Sequence, residues 1–163
     1  QGAQLHLVPY SYELSPATAL QLKEAIVSAF GPRATLHLSP PIAFGEEDTL
    51  PASAAPGVGT TLAVALFSLA ATPEDENHGS FLTALAATLP PGTPLAALVD
   101  EGSFLARFAG QPERLEERRR TWTRLFEKHG IEPAFVNLDA APASVADSLT
   151  RLIDLSARKE AAR

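Results

Sequence analysis

Acidic side chains and one histidine are the residues of this sequence best suited to chemistry. Between Ala34 and Ala106 there is no Lys or Arg, while eight carboxylates follow predicted strands. They are Glu46, Glu47, Asp48, Glu74, Asp75, Glu76, Asp100 and Glu101. If they converge, they form a negative basin that repels a triphosphate and suits a hard cation such as Mg²⁺ or Ca²⁺, which takes several oxygen ligands.

The spacing of His78 supports two interpretations. His78 follows Glu74 by four residues and Asp75 by three, so one helical face could carry a metal ligand or an acid–base pair. The same spacing continues an apolar stripe towards Phe81, and acids in a first helical turn are ordinary partners of the helix dipole. Because no second His or Cys accompanies it, a structural, hydrogen-bonded His78 is favoured.

The elements that must position these residues alternate between strand and helix. Predicted strands cover 4–8, 34–38, 62–69, 94–99 and 133–138, and predicted helices cover 16–30, 73–89, 112–129 and a last one from 144, with a helical turn within 100–109. The run Leu62–Leu69 is continuously apolar, which is typical of a central strand covered on both faces. This order predicts one α/β domain over residues 1–163, an open, mostly parallel sheet of about five strands with helices on both faces.

Capping residues set the predicted starts of the helices. Ser15 is expected to cap the first helix, Thr72 the second, and a capping box over Ser144–Asp147 the last. Asp100 is expected to cap the short helix that follows it. Residues 39–61 are rich in Ala, Pro and Gly and leave room for one extra edge strand.

Ligands of such a sheet bind outside the carboxyl ends of its strands. The candidate functional rim therefore comprises Tyr10, Glu74, Asp75, Asn77, His78, Asp100 and Glu101. We assign no catalytic residue, no metal ligand and no cofactor to it.

The turn after the first strand does not suit a phosphoryl group. A mononucleotide site needs a Gly-rich loop with Lys and Ser or Thr, but Pro9–Pro16 holds no Gly and no Lys, and Glu13 adds the wrong charge. The glycine pair Gly57 and Gly59 precedes a strand instead of opening a helix. No G-x-S-x-G frame is present, so serine catalysis is not supported either.

Charge limits the classes of partner. The net charge of −6 disfavours generic binding to nucleic acid or to an anionic membrane. Five arginines crowd the helix over 112–129, namely Arg114, Arg118, Arg119, Arg120 and Arg124. Interleaved glutamates favour a solvated helix face over a nucleic-acid stripe, and a protein partner with an acidic surface stays open. There is no Cys, so disulfides and thiol chemistry are excluded.

The order of elements from Leu62 to Asp139 resembles the second half of a Ras-like GTPase domain. Asp100–Glu101 stands where that family keeps its guanine-reading N-K-x-D, and Asp139–Ala140 lies near its S-A-K loop. The motif residues themselves differ, and the phosphate loop is absent at 9–15. The resemblance therefore implies the scaffold without GTP hydrolysis.

Four segments together resemble the C-terminal region of the bacterial DUF2868 family, whose function is unknown. They are Leu7–Tyr10, Ala70–Gly79, Leu98–Glu101 and Glu117–Arg119. This resemblance implies a soluble domain on the cytoplasmic side of the bacterial inner membrane, anchored through an upstream region, with a neighbouring GTPase as partner. The chain has no Met and no apolar window of about 18 residues, so we expect a soluble fragment of a longer membrane-anchored chain.

These observations predict a non-catalytic protein-interaction or regulatory domain on a GTPase-like scaffold that binds no nucleotide. The alternative is a metal-dependent hydrolase or phosphoryl-handling enzyme that uses the acidic rim around Glu74, Asp75 and His78.

Overall fold

The computed structural model describes residues 2–161, apart from the side chains of Asp75 and of residues 153–161. Strands and helices alternate along this part of the chain. In order they are β1 (Gln4–Pro9), α1 (Pro16–Phe30), β2 (Thr35–Leu38), a 3₁₀ turn (Ala52–Ala54), β3 (Leu62–Ser68), α2 (Asp75–Ala87), β4 (Leu95–Asp100), α3 (Gly102–Arg107), α4 (Pro112–Glu127), β5 (Pro133–Val136) and α5 (Pro142–Ala161).

The five strands form one open sheet in the order β2-β1-β3-β4-β5, and every neighbouring pair is parallel. Helices α1 and α5 pack on one face, while α2, α3 and α4 pack on the other. The predicted three-layer α/β architecture is therefore confirmed. In this doubly wound order, β2 is added on one side of β1 and β3 to β5 on the other, so the strand order switches between β1 and β3. Ligands of such folds bind at that switch point, outside the carboxyl ends of the strands.

Strand β3 is the centre of the core, as its apolar run predicts. Val64 and Leu66 contact the layer of α1 and α5, whereas Ala65 and Phe67 contact the layer of α2 and α4. All four side chains are fully buried, because successive residues of a strand point to opposite faces. Because β3 is the middle strand of the five, its carboxyl end lies in the middle of the rim.

The segment between β2 and β3 contains no α-helix, so a loop covers the sheet where a crossover helix would otherwise pack. Within residues 39–61, all of them described, the only strand-like pairing is an isolated parallel bridge between Tyr10 and Ile42. The extra edge strand for which the sequence leaves room does not form. Nε2 of His6 instead donates to the carbonyl oxygen of Ala54 at 2.8 Å, and the His6 ring stacks on His37 with centroids 4.6 Å apart.

We expect the stability of this loop attachment to depend on pH through His6. Burial lowers the pKa of His6 below its ordinary value of 6.5; the hydrogen bond to Ala54 opposes this, and nearby His37 adds to it. The unfolded chain therefore binds a proton at a higher pH than the folded chain does. We expect the free energy of unfolding to fall as the pH drops from about 7 to about 5, measured by urea denaturation.

The matched variant is His6→Gln, whose amide can still donate to Ala54 but does not titrate. We expect this variant to lose less stability over the same pH range. An identical pH dependence in both proteins would show that His6 is not the group responsible.

Two helices start at different residues from those predicted. Ser15 caps α1 as expected, since its Oγ accepts from the amide of Thr18 at 3.1 Å. Helix α2 begins at Asp75 after an extended Glu74, so Thr72 is not its cap. Helix α5 begins at Pro142, which suits the first helical position, so Ser144 already lies in its first turn and the predicted capping box is wrong. The apolar spacing of the last helix also predicts Ile153 on its buried face, and the Ile153 side chain lies outside the described ones.

In the described part of the chain, no helix combines the length and the apolarity that a membrane span requires.

Candidate functional site

Tyr10 is the first residue of the rim along the chain. It directly follows β1 and lies at the switch point between β1 and β3. Its amide donates to the carbonyl oxygen of Leu66 on β3 at 2.9 Å. The next residue, Ser11, has a φ of +50°, and its amide donates to Ile42 at 2.8 Å. This left-handed conformation is uncommon for a residue other than glycine, and it turns the chain away from the sheet towards α1. The Tyr10 side chain consequently stays inside the crevice and is buried.

A buried carboxylate from the loop, Glu47, closes the crevice between β1 and β3. Its Oε2 accepts from the Tyr10 hydroxyl at 2.9 Å and from the amide of Gly45 at 2.6 Å, and its Oε1 accepts from Nδ2 of Asn77 on α2. We call these four residues, Tyr10, Gly45, Glu47 and Asn77, the Glu47 cluster. It joins the segments that follow β1, β2 and β3.

The charges of the Glu47 cluster follow from this geometry. Burial favours the neutral form of Glu47, but the hydrogen bonds from Asn77, Tyr10 and Gly45 outweigh it and lower the pKa of Glu47 below its ordinary value. Burial, together with the neighbouring Glu47, raises the pKa of Tyr10. The cluster therefore holds an ionised carboxylate against a neutral tyrosine.

His78 lies beside this cluster, inside an aromatic group. Its ring meets the Tyr10 ring edge-on at 4.9 Å and the Trp122 ring at 5.4 Å, and the Tyr10 ring stacks on Phe81 at 4.5 Å. Nδ1 of His78 lies 3.0 Å from both the backbone nitrogen and the backbone oxygen of Glu74, at the start of α2. With only 3% of its surface exposed, His78 has the structural role that the sequence favours.

Asp100 forms a second, separate centre at the ends of β4 and β5. Its Oδ1 accepts from the amides of Gly102 and Leu138, both at 3.0 Å, and its Oδ2 accepts from the Tyr12 hydroxyl. The N-cap position of α3 is Glu101, whose side chain makes no capping bond, so the prediction that Asp100 caps this helix is wrong; Asp100 lies one residue earlier and accepts from the amide of Gly102, the first helical residue. We call Tyr12, Asp100, Gly102 and Leu138 the Asp100 cluster, which connects the β1–α1 loop to the far side of the sheet.

Gly102 lies close to the ends of two side chains, so a larger residue there would require the exposed carboxylate of Asp139 to move. A Cβ atom there would lie 2.5 Å from Oδ2 of Asp139 and 3.1 Å from Oδ1 of Asn137. Burial, Asp100 and then Asp139 raise the pKa of Tyr12, so its phenol stays protonated and donates to Asp100.

Glu101 is paired and is not available to a ligand. Nε and Nη2 of Arg119 donate to its two carboxylate oxygens, and only 6% of the Glu101 side chain is exposed. The hydrogen bond from Arg119 to Glu101 raises the pKa of the guanidinium. Arg119 therefore departs from the solvated helix face that the sequence predicts for it.

The structure thus distributes the predicted rim residues over separate places. Tyr10, Asn77 and His78 come together around Glu47, whereas Asp100 and Glu101 lie in other contacts. Glu74 is exposed, and the side chain of Asp75 lies outside the described residues. Among the described side chains, no three His, Asp or Glu residues form a group that could hold a metal ion. Three of the eight carboxylates, Glu47, Asp100 and Glu101, thus lie in different contacts.

An open depression of about 360 Å³ lies at the same edge of the sheet. It is lined by Ser11, Tyr12, Glu13, Pro41, Ile42, Ala43 and Phe44. Phe44 is 51% exposed although it is close to the rings of Tyr10 and His78. The depression is open to solvent, and its lining combines apolar side chains with the carboxylate of Glu13 and the hydroxyls of Ser11 and Tyr12.

Sequence reasoning missed three residues that build the rim. The Tyr12 hydroxyl donates to Asp100, and Nε1 of Trp122 donates to the carbonyl oxygen of Ala71. Nη1 of Arg118 donates to the carbonyl oxygens of Leu69, Ala70 and Ala71 at 3.0 to 3.2 Å. Arg118 and Trp122 share one flank of α4 at a spacing of four residues, which is the one sequence signal that could have paired them.

The strand order and the closed crevice define a doubly wound α/β domain of the flavodoxin-like order. The all-parallel sheet is also compatible with a GTPase-like scaffold. No protein-family model and no curated protein sequence matches the chain. Among solved structures, the chain is similar to a pilus assembly protein, CpaE, from Caulobacter crescentus CB15. The two share 13% identity at a TM-score of 0.47, over 91% of this chain and 98% of that one, and a likeness at this level does not specify a function.

Proposed function

We propose that this chain is a non-catalytic protein-interaction or regulatory domain of a bacterial membrane protein, built on a GTPase-like scaffold that binds no nucleotide. The observation that carries the proposal is the position of Glu47. Its carboxylate occupies the crevice between β1 and β3, where a doubly wound domain would receive a ligand, and three donors of the chain itself satisfy it.

Electrostatics supports the same proposal. A phosphoryl group in this crevice would replace Glu47 or lie against it, and like charges in a buried site repel each other strongly. The turn from Pro9 to Pro16 offers neither the lysine nor the glycine amides that would offset phosphate charge. Function then lies with the outer surface of the domain.

The partner and the location follow from the resemblance to the DUF2868 family in segments such as Ala70–Gly79. We infer that the domain lies on the cytoplasmic side of the inner membrane, that an upstream region anchors it, and that a GTPase encoded beside it is its partner. Retention of that GTPase by the immobilised domain would support the inference, and its failure to bind at micromolar concentrations would refute this choice of partner.

The decisive experiment is a thermal-shift titration with GTP, GDP and ATP at about 1 mM, each with Mg²⁺. A ligand that binds only the folded state must stabilise it, by about 2.7 kcal/mol at one hundred times its Kd. We expect no change in Tm beyond that caused by Mg²⁺ alone. A shift of several degrees with any of these nucleotides would overturn the proposal.

Calorimetry with Mg²⁺, Mn²⁺ and Ca²⁺ tests the metal-dependent alternative around Glu74, Asp75 and His78. Heat of binding in the wild type that disappears in Asp75→Ala would favour this alternative. If neither protein shows heat of binding with any of the three ions, the metal-dependent alternative is excluded.

A further inference from the structure

We propose that a basic and aromatic surface on α3 and α4 binds an acidic, carboxylate-bearing segment of a protein partner. This inference rests on the proposed interaction function and names the surface and the chemistry of the partner. The surface consists of Arg107, Arg114, Arg118, Phe104 and Phe108, and we call it the arginine–phenylalanine patch.

Two phenylalanine rings hold the three guanidinium groups together. The Cζ atoms of Arg107 and Arg114 lie 5.6 Å and 4.9 Å from the centroid of the Phe108 ring, and that of Arg118 lies 5.2 Å from the Phe104 ring. An arginine over an aromatic face is attracted to the ring and loses conformational freedom before a ligand arrives. The patch is therefore partly preorganised, which lowers the entropic cost of binding.

Arg118 anchors the patch to the rim of the sheet. Its Nη1 donates to the three successive carbonyl oxygens of residues 69–71, directly after β3. Arg107 and Arg114 are exposed, Arg118 and Phe108 are partly buried, and Phe104 is buried beneath them. Arg118 is thus held in place by the backbone, while the guanidinium groups of Arg107 and Arg114 are accessible to a partner.

The positive charge of the patch is not neutralised by ion pairs. Among the described side chains, the ion pairs within 4.0 Å are Glu101–Arg119 and Glu116–Arg120, and neither includes a member of the patch. Glu113 and Glu117 are near Arg114 in sequence, yet they form no such pair with it. Arg107 and Arg114 therefore present two exposed positive charges, without an ion pair within 4.0 Å among the described side chains, on a protein whose net charge is −6.

An acidic protein segment is the partner that this charge pattern fits best. Guanidinium groups bind carboxylates through paired, charge-assisted hydrogen bonds, and the partly exposed Phe108 ring suits an apolar residue between the acids. Nucleic acid would meet the negative charge of the remaining surface, which carries the protein to −6. An acidic segment of limited length can contact the patch without approaching that surface.

The test uses a fluorescein-labelled hexaglutamate peptide as probe, with hexaglutamine as its uncharged control, in fluorescence anisotropy titrations at low salt. We expect the wild type to bind hexaglutamate and not hexaglutamine. The double variant R107E/R114E should weaken binding by about tenfold or more, because two attractive contacts become repulsive. F108A retains the charges but removes the ring that orders them, and it should weaken binding by about threefold.

The matched control is R120E/R124E, which reverses two exposed charges on the same helix outside the patch. It should stay within about threefold of the wild type, whereas equal losses in both double variants would reveal a mere net-charge effect and overturn the proposal. If R107E/R114E does not fold, as judged by circular dichroism, R107Q/R114Q replaces it and should still weaken binding.

Sedimentation velocity separates a partner from a second copy of this chain. A dimer of the wild type that is lost in R107E/R114E would assign the patch to self-association and overturn the proposal of an acidic partner. A monomer in both proteins, together with hexaglutamate binding, supports it. These readouts use no nucleotide, so their failure can be distinguished from failure of the proposed function.

Discussion

Asp100→Ala is expected to lower the free energy of unfolding by about 3 to 5 kcal/mol. The substitution removes a buried carboxylate that accepts from the amides of Gly102 and Leu138 and from the hydroxyl of Tyr12. All three donors lose their acceptor at once, and each buried donor left without a partner costs about 1 to 3 kcal/mol. Urea denaturation, followed by tryptophan fluorescence and by circular dichroism, measures the loss.

Two variants isolate the reason. Tyr12→Phe removes one donor and leaves the acceptor with its two amides, so it should cost only about 1 kcal/mol. Asp139→Ala alters an exposed carboxylate beside the same glycine and should change stability by less than about 1 kcal/mol. A loss in Asp100→Ala no greater than that in Asp139→Ala would contradict the assignment of Asp100 as the tie between β4, β5 and the first loop.

Glu47→Ala is expected to lower the free energy of unfolding by about 2 to 3 kcal/mol and to open the loop locally. The substitution leaves the Tyr10 hydroxyl, the Asn77 amide and the backbone amide of Gly45 without their shared acceptor. Because these groups belong to segments after β1, β2 and β3, amide hydrogen exchange should accelerate most in residues 43–49. In β3, amide hydrogen exchange should accelerate only by the amount that the lower free energy of global unfolding accounts for.

Glu46→Ala is the matched control, since Glu46 is the exposed neighbour of Glu47, and it should change stability by less than about 0.5 kcal/mol. The sign of the pH dependence gives a second check. The pKa of Glu47 is lowered by folding, so its contribution is present above the ordinary pKa of a glutamate and is lost as the pH falls through the folded value. Equal acid sensitivity in the wild type and Glu47→Ala would rule out this contribution.

The layers of the fold could be predicted because their signals are local. The apolar run of β3, the Ser15–Pro16 start of α1 and the prolines and glycines between elements each act within a few residues. The start of α5 could not be placed as well, since Pro142 and Ser144 both carry start signals and only the structure selects Pro142.

The clusters at the rim could not be predicted, because their contacts join distant parts of the chain. Tyr10 meets Glu47 across 37 residues, and Tyr12 meets Asp100 across 88. Nothing in the neighbourhood of either tyrosine identifies its acceptor. Tyr10, Asn77 and His78 were predicted at the rim from the ends of their strands, whereas Glu47 was one of eight carboxylates and no local signal marked it as their common partner.

The contacts of the α4 arginines could not be predicted from the sequence either. Interleaved charges predict a solvated face, and Arg120 and Arg124 are indeed exposed. Arg118 and Arg119, however, lie on the two flanks of the buried stripe around Trp122, where a long side chain reaches over the end of the sheet. Their partners are a loop and a neighbouring strand end, which helix periodicity does not reveal.

The connection from β2 to β3 has an evolutionary consequence. A crossover helix tolerates insertions poorly, because one added residue rotates its whole apolar face by about 100°. Here the span is held at isolated positions, chiefly Ile42, Glu47 and Ala54, and the cost of closing a longer loop grows only slowly with its length. Between those positions, relatives of this chain should gain or lose residues freely while the sheet stays unchanged.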